Sequence, residues 1–188
     1  MKRIISLVLS LIFLLCLVGC KDAETKKNGS GGVDIEYYAK LGQIPECEIT
    51  LGTKPEKVKE TIENRENESG DDHKHGGYNE IEGTNNVLIE EGSYDYYYKK
   101  ANPEKGVGYM VSYTESFGFK TGDIISEVET ALKSYDVKKE KASEQNAFFY
   151  FGDYSNAQIL KITFEKNSVL FLFENNALCA TAIFSNDF

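Results

Sequence analysis

The chain has 188 residues and a formal net charge of −9, and this acidic balance limits the partners that it can bind. Nucleic-acid-binding proteins neutralise phosphates with clustered Lys and Arg, so the composition excludes that class of protein. The same charge excludes electrostatic attachment to anionic lipid. Any membrane attachment therefore has to come from a covalently bound lipid.

The first twenty residues have the pattern of an export signal that ends in a cysteine. Lys2 and Arg3 precede an apolar segment, residues 4–18, that is shorter than the ~20 residues of a membrane-spanning helix. The segment ends in LVGC at 17–20, which resembles the lipobox of bacterial lipoproteins. The resemblance implies cleavage before Cys20, acylation of its thiol and a position on the outer face of the cell membrane, facing the periplasm if there are two membranes. The alternative is an ordinary secretory signal that happens to end in cysteine.

The sequence divides into a signal, a tether and two predicted structural units. Residues 1–19 are the signal, and residues 20–43 begin with the lipidated cysteine and continue as a polar tether that contains Gly and Ser. Residues 44–121 and 122–188 are predicted to be two copies of one repeat, and the first copy contains an inserted loop with the histidines.

The predicted fold class is α+β, a tandem repeat of a helix followed by an antiparallel four-stranded meander, with the helices on one face of the sheet. In each copy a glycine precedes apolar residues at helical spacing, and the second copy follows seventy positions after the first. A second similarity, between residues 86–94 and 146–154, predicts a strand in each copy. Further strands are predicted at 94–99, 107–114 and 117–119 and at 159–164, 169–173 and 178–184. The paired helix positions are Gly52 and Gly122, Pro55 and Ile125, Val58 and Val128, and Ile62 and Leu132.

The segment ITLGTKPEKV at 49–58 resembles the opening of the repeat in β-lactamase-inhibitory-protein-like domains and in small outer-membrane-assembly lipoproteins. In those families helices cover a four-stranded sheet, and the tandem form presents a concave protein-binding surface. The resemblance implies another envelope protein as the partner. It implies no activity against a β-lactamase, because no inhibitory loop residue of the family can be placed in this chain.

Tyrosines alternate along one predicted strand and recur on the next. Tyrosine supplies a large rigid contact area with a polar hydroxyl, so we expect this sheet face to bind a protein partner. Two alternatives remain, a half-buried sheet in which the tyrosines pack, and a face that stacks on sugars. The candidate residues are Tyr94, Tyr96, Tyr98, Tyr109 and Tyr113.

The inserted loop is a candidate site for a divalent metal such as zinc. It contains Asp71, Asp72, His73 and His75, whose carboxylate and imidazole groups are the donors that zinc accepts. The alternative is a solvated acidic loop that binds nothing. If the loop binds nothing, we expect the chain to have no cofactor.

Cys47 and Cys179 are the cysteines that remain after the signal and Cys20 are set aside. They predict either a disulfide across most of the folded part or two buried free thiols.

The sequence favours a binding protein over an enzyme. The histidines lie together in the inserted loop, and no phosphate-binding glycine loop or nucleophile motif is present. We expect a lipid-anchored module that binds a protein through its aromatic sheet face. The alternative is a lipoprotein that binds a metal or a glycan for a transporter or sensor.

Overall fold

The structure is a computed structural model that describes residues 33–69 and 77–188. The helices in these residues are α1 (Ile35–Leu41), α2 (Pro55–Ser69) and α3 (Ile125–Ala131). The strands are β1 (Asn79–Glu82), β2 (Asn86–Glu91), β3 (Tyr94–Lys99), β4 (Val107–Ser112), β5 (Val137–Lys141), β6 (Ala157–Thr163), β7 (Asn167–Glu174) and β8 (Ala177–Ser185). They form one antiparallel sheet in the order β1-β2-β3-β4-β8-β7-β6-β5.

The single sheet contradicts the predicted tandem repeat, in which each unit was a helix with its own four-stranded meander. Strands β4 and β8 pair directly, from Tyr109 with Phe184 to Ser112 with Thr181, and join all eight strands. The prediction was wrong because alternation along a strand indicates which side chains are buried. It does not indicate which neighbour the strand pairs with.

The predicted helical stripes are confirmed. Helices α2 and α3 begin at Pro55 and Ile125, and their apolar side chains pack on the sheet. The glycines before them, Gly52 and Gly122, have φ angles of 85° and 97°, a left-handed conformation that residues with a Cβ rarely adopt. The buried stripe consists of Val58, Ile62, Val128 and Leu132.

The predicted strand in residues 146–154 is absent, and so is the one at 117–119. Residues 142–156 cross the sheet as turns, and only an isolated bridge joins Ser116 to Phe119. The first strand of the second half is instead β5, whose sequence VKKEK has no apolar alternation. Because β5 lies at the edge of the sheet, its charged lysines disfavour pairing with a strand of another chain.

Each face of the sheet has its own apolar cluster. The helix face is the one covered by α1, α2 and α3, and the loop face is the one covered by residues 142–156. Strand β7 is buried between these two layers, which explains why its sequence is apolar almost throughout. Strand residues of the helix face include Ile89, Tyr96, Met110, Leu160, Phe171 and Ile183, and those of the loop face include Tyr97, Tyr109, Val111, Ile159, Leu170 and Leu172.

Candidate binding cleft

The five tyrosines predicted to bind a partner do not share an exposed surface. Tyr94, Tyr96 and Tyr98 pack with the helix-face cluster, where Tyr96 is 0% and Tyr98 is 7% exposed. Tyr109 belongs to the loop face and is 4% exposed, whereas Tyr113 is 38% exposed. Because three of the five rings are inside the protein, the partner-binding surface has to be sought elsewhere.

Tyr96 instead belongs to a polar network that joins α2 to the sheet. Its hydroxyl donates to Glu91 Oε2 at 3.0 Å and lies 3.6 Å from Cys47 Sγ. The guanidinium of Arg65 donates to the same Glu91 oxygen at 2.9 Å. Burial raises the pKa of both Tyr96 and Cys47, so both groups stay protonated at neutral pH.

Cys47 and Cys179 are free thiols, and they lie on opposite faces of the sheet. In the structure Cys47 is buried, Cys179 is half-buried and the two are not bonded to each other. Cys179 Sγ donates to Leu172 O at 3.3 Å, and burial raises the pKa of Cys179 to about 11. A thiol with this pKa is almost entirely protonated at neutral pH and is therefore a weak nucleophile.

Two sets of predicted site residues lie outside the described residues. They are the lipidation site Cys20 and the metal ligands Asp71, Asp72, His73 and His75. In residues 33–69 and 77–188, no group of three His, Cys, Asp or Glu side chains is placed to hold a metal ion.

An open cleft of about 470 Å³ lies on the loop face. It is lined by residues of all the strands from β2 to β8, and by residues 145, 146 and 148 of the segment that crosses the sheet. Its volume lies within the ~300–1,000 Å³ that is usual for ligand pockets. Aromatic rings, amides and lysines make up most of its lining, so the cleft combines apolar and polar contacts.

Four rings form the apolar part of the cleft, with Tyr109 at their centre. The Tyr109 ring stacks on Phe184 with centroids 4.9 Å and planes 7° apart. Its centroid also lies 4.9 Å from that of Phe148 and 5.9 Å from that of Phe188. The three phenylalanines are half-buried and line the cleft, whereas Tyr109 is buried among them.

Gly108 allows Phe188 to approach the sheet. A Cβ atom at position 108 would collide with the Phe188 ring, so any other residue would displace that ring. The absence of a side chain at Gly108 therefore helps to shape one side of the cleft.

Two buried polar atoms at the cleft have no hydrogen-bond partner in the described part of the chain. They are the Tyr109 hydroxyl and Asn86 Oδ1. An unpartnered buried polar group destabilises a protein by about 1–3 kcal/mol. Burial also raises the pKa of Tyr109, which keeps its hydroxyl protonated. In the network around Tyr96 the tyrosine hydroxyl is hydrogen-bonded, and the buried atom without a partner in the described residues is Arg65 Nε.

Two lysines lie over the rings of the cleft. Lys99 Nζ is 5.1 Å from the Phe188 centroid, and Lys161 Nζ is 5.0 Å from the Phe184 centroid. Both are cation–π geometries. Neither ammonium forms an ion pair with a carboxylate of the described residues, although the chain has 30 acidic residues.

Of the residues that line the cleft, Tyr109 was among the predicted partner-binding residues. Phe148 and Phe184 were assigned to predicted strands, and Phe188 was given no role. One signal was available, because residues 148–151 read FFYF and four successive aromatic rings cannot all point to the same face of a strand. Some of these rings therefore had to lie on the face opposite the predicted helices.

Comparisons with protein-family models, with curated proteins and with solved structures found no match to this chain. In the part of the chain that the structure describes, no helix is both long and apolar enough to span a bilayer. A function therefore has to be proposed from the cleft and the sequence.

Proposed function

We propose that this protein is a lipid-anchored, extracytoplasmic glycan-binding module that holds a sugar chain in the loop-face cleft. The observation that supports this most is the combination of half-buried rings and amide side chains in one cleft. The C–H face of a pyranose ring packs on an aromatic ring, and its hydroxyls exchange hydrogen bonds with amides.

Amides suit sugar hydroxyls because an amide that is not already paired offers a donor and an acceptor, as a hydroxyl does. Asn146 instead uses its amide to hold the turn, since its Oδ1 accepts from Ser143 N at 2.8 Å and its Nδ2 donates to Lys141 O at 3.0 Å. This turn also positions Phe148, which is two residues further along. The amides that line the cleft are Asn85, Asn86, Gln145 and Asn146.

The dimensions of the cleft favour a ligand over the protein partner that we expected from the tyrosines. A stable protein interface buries ~800 Å² on each partner and is centred on exposed aromatic anchors. Tyr96, Tyr98 and Tyr109 are buried and cannot act as such anchors.

An envelope protein remains the second candidate partner, supported by a different surface. Phe151 is 88% exposed and lies beside Tyr113 at an open apolar pocket of about 280 Å³. An aromatic side chain this exposed is a typical interface anchor. Loss of a crosslinked envelope protein from a Phe151→Ser variant would favour this candidate.

The location of the protein is part of the proposal, and the lipobox pattern at 17–20 supports it. Labelled palmitate fed to cells should be incorporated by the wild type and by Cys16→Ser, and not by Cys20→Ser. Cys16→Ser is the matched control because it removes a thiol from the same segment. Label retained in Cys20→Ser would contradict the anchor.

An oligosaccharide array probed with the full chain in neutral detergent micelles tests the glycan proposal. Phe184→Leu keeps an apolar side chain but removes the ring, and we expect it to weaken binding about tenfold. Phe151→Leu is the matched control, since it removes a more exposed ring outside the cleft. Thermal unfolding of each variant verifies that it is folded.

Two results would contradict glycan binding in the cleft. One is an array on which the wild type retains no oligosaccharide. The other is equal loss of binding in the folded Phe184→Leu and Phe151→Leu variants.

A further inference from the structure

We infer that the cleft selects anionic glycans, whose carboxylate or phosphate groups are bound by Lys99 and Lys161. This inference rests on the proposed function and names the class of ligand for the same site. It depends on the absence of a carboxylate partner for either lysine among the described residues, on the position of the two ammonium groups over the rings and on the charge of the side chains that line the cleft.

Neither lysine of the cleft has a carboxylate partner among the described residues. Lys100 follows Lys99 directly and forms an ion pair with Glu82, whereas Lys99 lies over the Phe188 ring. Elsewhere Lys139 pairs with both carboxylate oxygens of Glu129. In a chain with net charge −9, two ammonium groups kept free of carboxylates at one cleft are available to an external anion.

The two ammonium groups lie at opposite ends of a series of neighbouring rings. The series runs from Phe188 through Tyr109 to Phe184, with centroid separations of 5.9 and 4.9 Å. Lys99 Nζ lies over the first ring and Lys161 Nζ over the last. A sugar chain that spans the half-buried Phe188 and Phe184 rings above the buried Tyr109 therefore meets a cation at each end, and charged groups on its outer residues can accept hydrogen bonds there.

The side chains that line the cleft carry a net positive charge although the whole chain is acidic. Among the described residues, Lys99 and Lys161 line the cleft together with one acidic side chain, that of Glu140 on the edge strand β5. At physiological ionic strength the Debye length is ~8 Å, so acidic residues far from the cleft are largely screened. Attraction by the two nearby ammonium groups therefore outweighs repulsion by the distant carboxylates.

Matched pairs of oligosaccharides test this inference on the full chain in neutral detergent micelles. Tetragalacturonic acid and its full methyl ester differ only in whether the carboxyl groups are charged. Maltotetraose with and without a 6-phosphate provides the same comparison for phosphate. Titration calorimetry should give about tenfold tighter binding of at least one charged member. The preference for the charged member should weaken as NaCl rises from roughly 50 to 500 mM, because salt screens the attraction between the lysines and the anion.

Single lysine variants localise the effect. Lys99→Gln and Lys161→Gln should each lower the preference for the charged member over the neutral member several-fold. Lys100→Gln is the matched control, because it makes the same charge change at the next residue and should leave the preference unchanged.

Each outcome has a distinct meaning. A preference for the uronic acid alone or the phosphate alone supports the inference and identifies the anion. Equal affinity for both members of both pairs overturns the inference and leaves glycan binding standing. An equal effect of Lys100→Gln and the two cleft variants also overturns it. Failure of every probe and of the oligosaccharide array overturns the inference together with the proposed function.

Discussion

Tyr96 and Tyr109 are buried tyrosines of neighbouring strands, but they lie on opposite faces of the sheet and their hydroxyls have different surroundings. The Tyr96 hydroxyl donates to Glu91, which also accepts from Arg65. The Tyr109 hydroxyl has no partner in the described residues. The buried tyrosine hydroxyl of the helix face is therefore hydrogen-bonded, although Arg65 Nε of the same network has no hydrogen-bond partner in the described residues, and the buried tyrosine hydroxyl of the loop face is not.

The difference follows from what covers each face. Helices α2 and α3 place apolar stripes on the sheet, and α2 also brings Arg65 to Glu91. Residues 142–156 have few regular elements and cover the loop face incompletely, which leaves the cleft beside Phe148 and Phe184. The comparison indicates that the helix face supplies most of the stability and that the loop face keeps room for a ligand.

The largest effect that we predict compares one phenylalanine from each face. Phe171 is fully buried on the helix face, and Phe171→Ala should lower the free energy of unfolding by about 3–5 kcal/mol. Phe184 is only half-buried, and Phe184→Ala should cost about half as much or less, because less apolar area is lost. Urea unfolding of the wild type and both variants measures these changes in the free energy of unfolding. Equal losses would show that the loop face is packed as tightly as the helix face.

The second prediction removes one hydroxyl from each face without altering the rings. Tyr96→Phe should lower the free energy of unfolding by about 1.5–3 kcal/mol, because it removes a hydrogen bond to a carboxylate. Tyr109→Phe should leave it unchanged or raise it by about 1 kcal/mol, because an unpartnered buried hydroxyl is lost. Differential scanning calorimetry distinguishes the two. A loss in Tyr109→Phe as large as that in Tyr96→Phe would contradict the comparison.

The third prediction concerns the carboxyl group of Asp95, which differs from that of Glu91 in having no cationic partner among the described residues. Glu91 pairs with Arg65, whereas Asp95 on the loop face is 5% exposed. Its carboxylate accepts from the hydroxyls of Tyr97 and Tyr113, at 3.1 and 2.7 Å. Burial raises the pKa of Asp95 above its ordinary value of about 3.9. The folded protein therefore holds this proton to a higher pH than the unfolded chain does.

The sign of the pH effect follows from linkage. Because the pKa of Asp95 is higher in the folded state, its contribution to stability decreases as pH rises from about 4 through the raised pKa. Asp95→Asn removes this titration, so the stability of the variant relative to the wild type should increase between pH 4 and pH 7. Urea unfolding at three pH values measures it. Parallel curves for the two proteins would show that Asp95 does not titrate in this range.

The local parts of the fold were predictable from the sequence. The apolar spacing of Val58 and Ile62 is a property of one helix, and the apolar run of β7 reflects burial on both faces. The pairing of β4 with β8 depends on contacts between distant segments, which no local pattern specifies. Strand β5 was missed because its edge position permits a charged sequence.

The cleft was not predictable for a related physical reason. Lys99 lies on β3 and Lys161 lies on β6. These two strands line the same cleft only because all eight strands form a single sheet. The tyrosine pattern was visible, but alternation alone does not show that other elements cover both faces of the sheet. For this reason Tyr96 was expected at the surface and lies in the interior.

Hydrogen–deuterium exchange of the full chain in neutral detergent micelles, with and without tetragalacturonic acid, tests the division between the two faces most directly. We predict slower exchange in β4, in residues 142–150 and in residues 184–188, and unchanged exchange in α1, α2 and α3. Protection that is confined to the helices or to the surface around Phe151 would contradict the assignment of the loop-face cleft as the binding site.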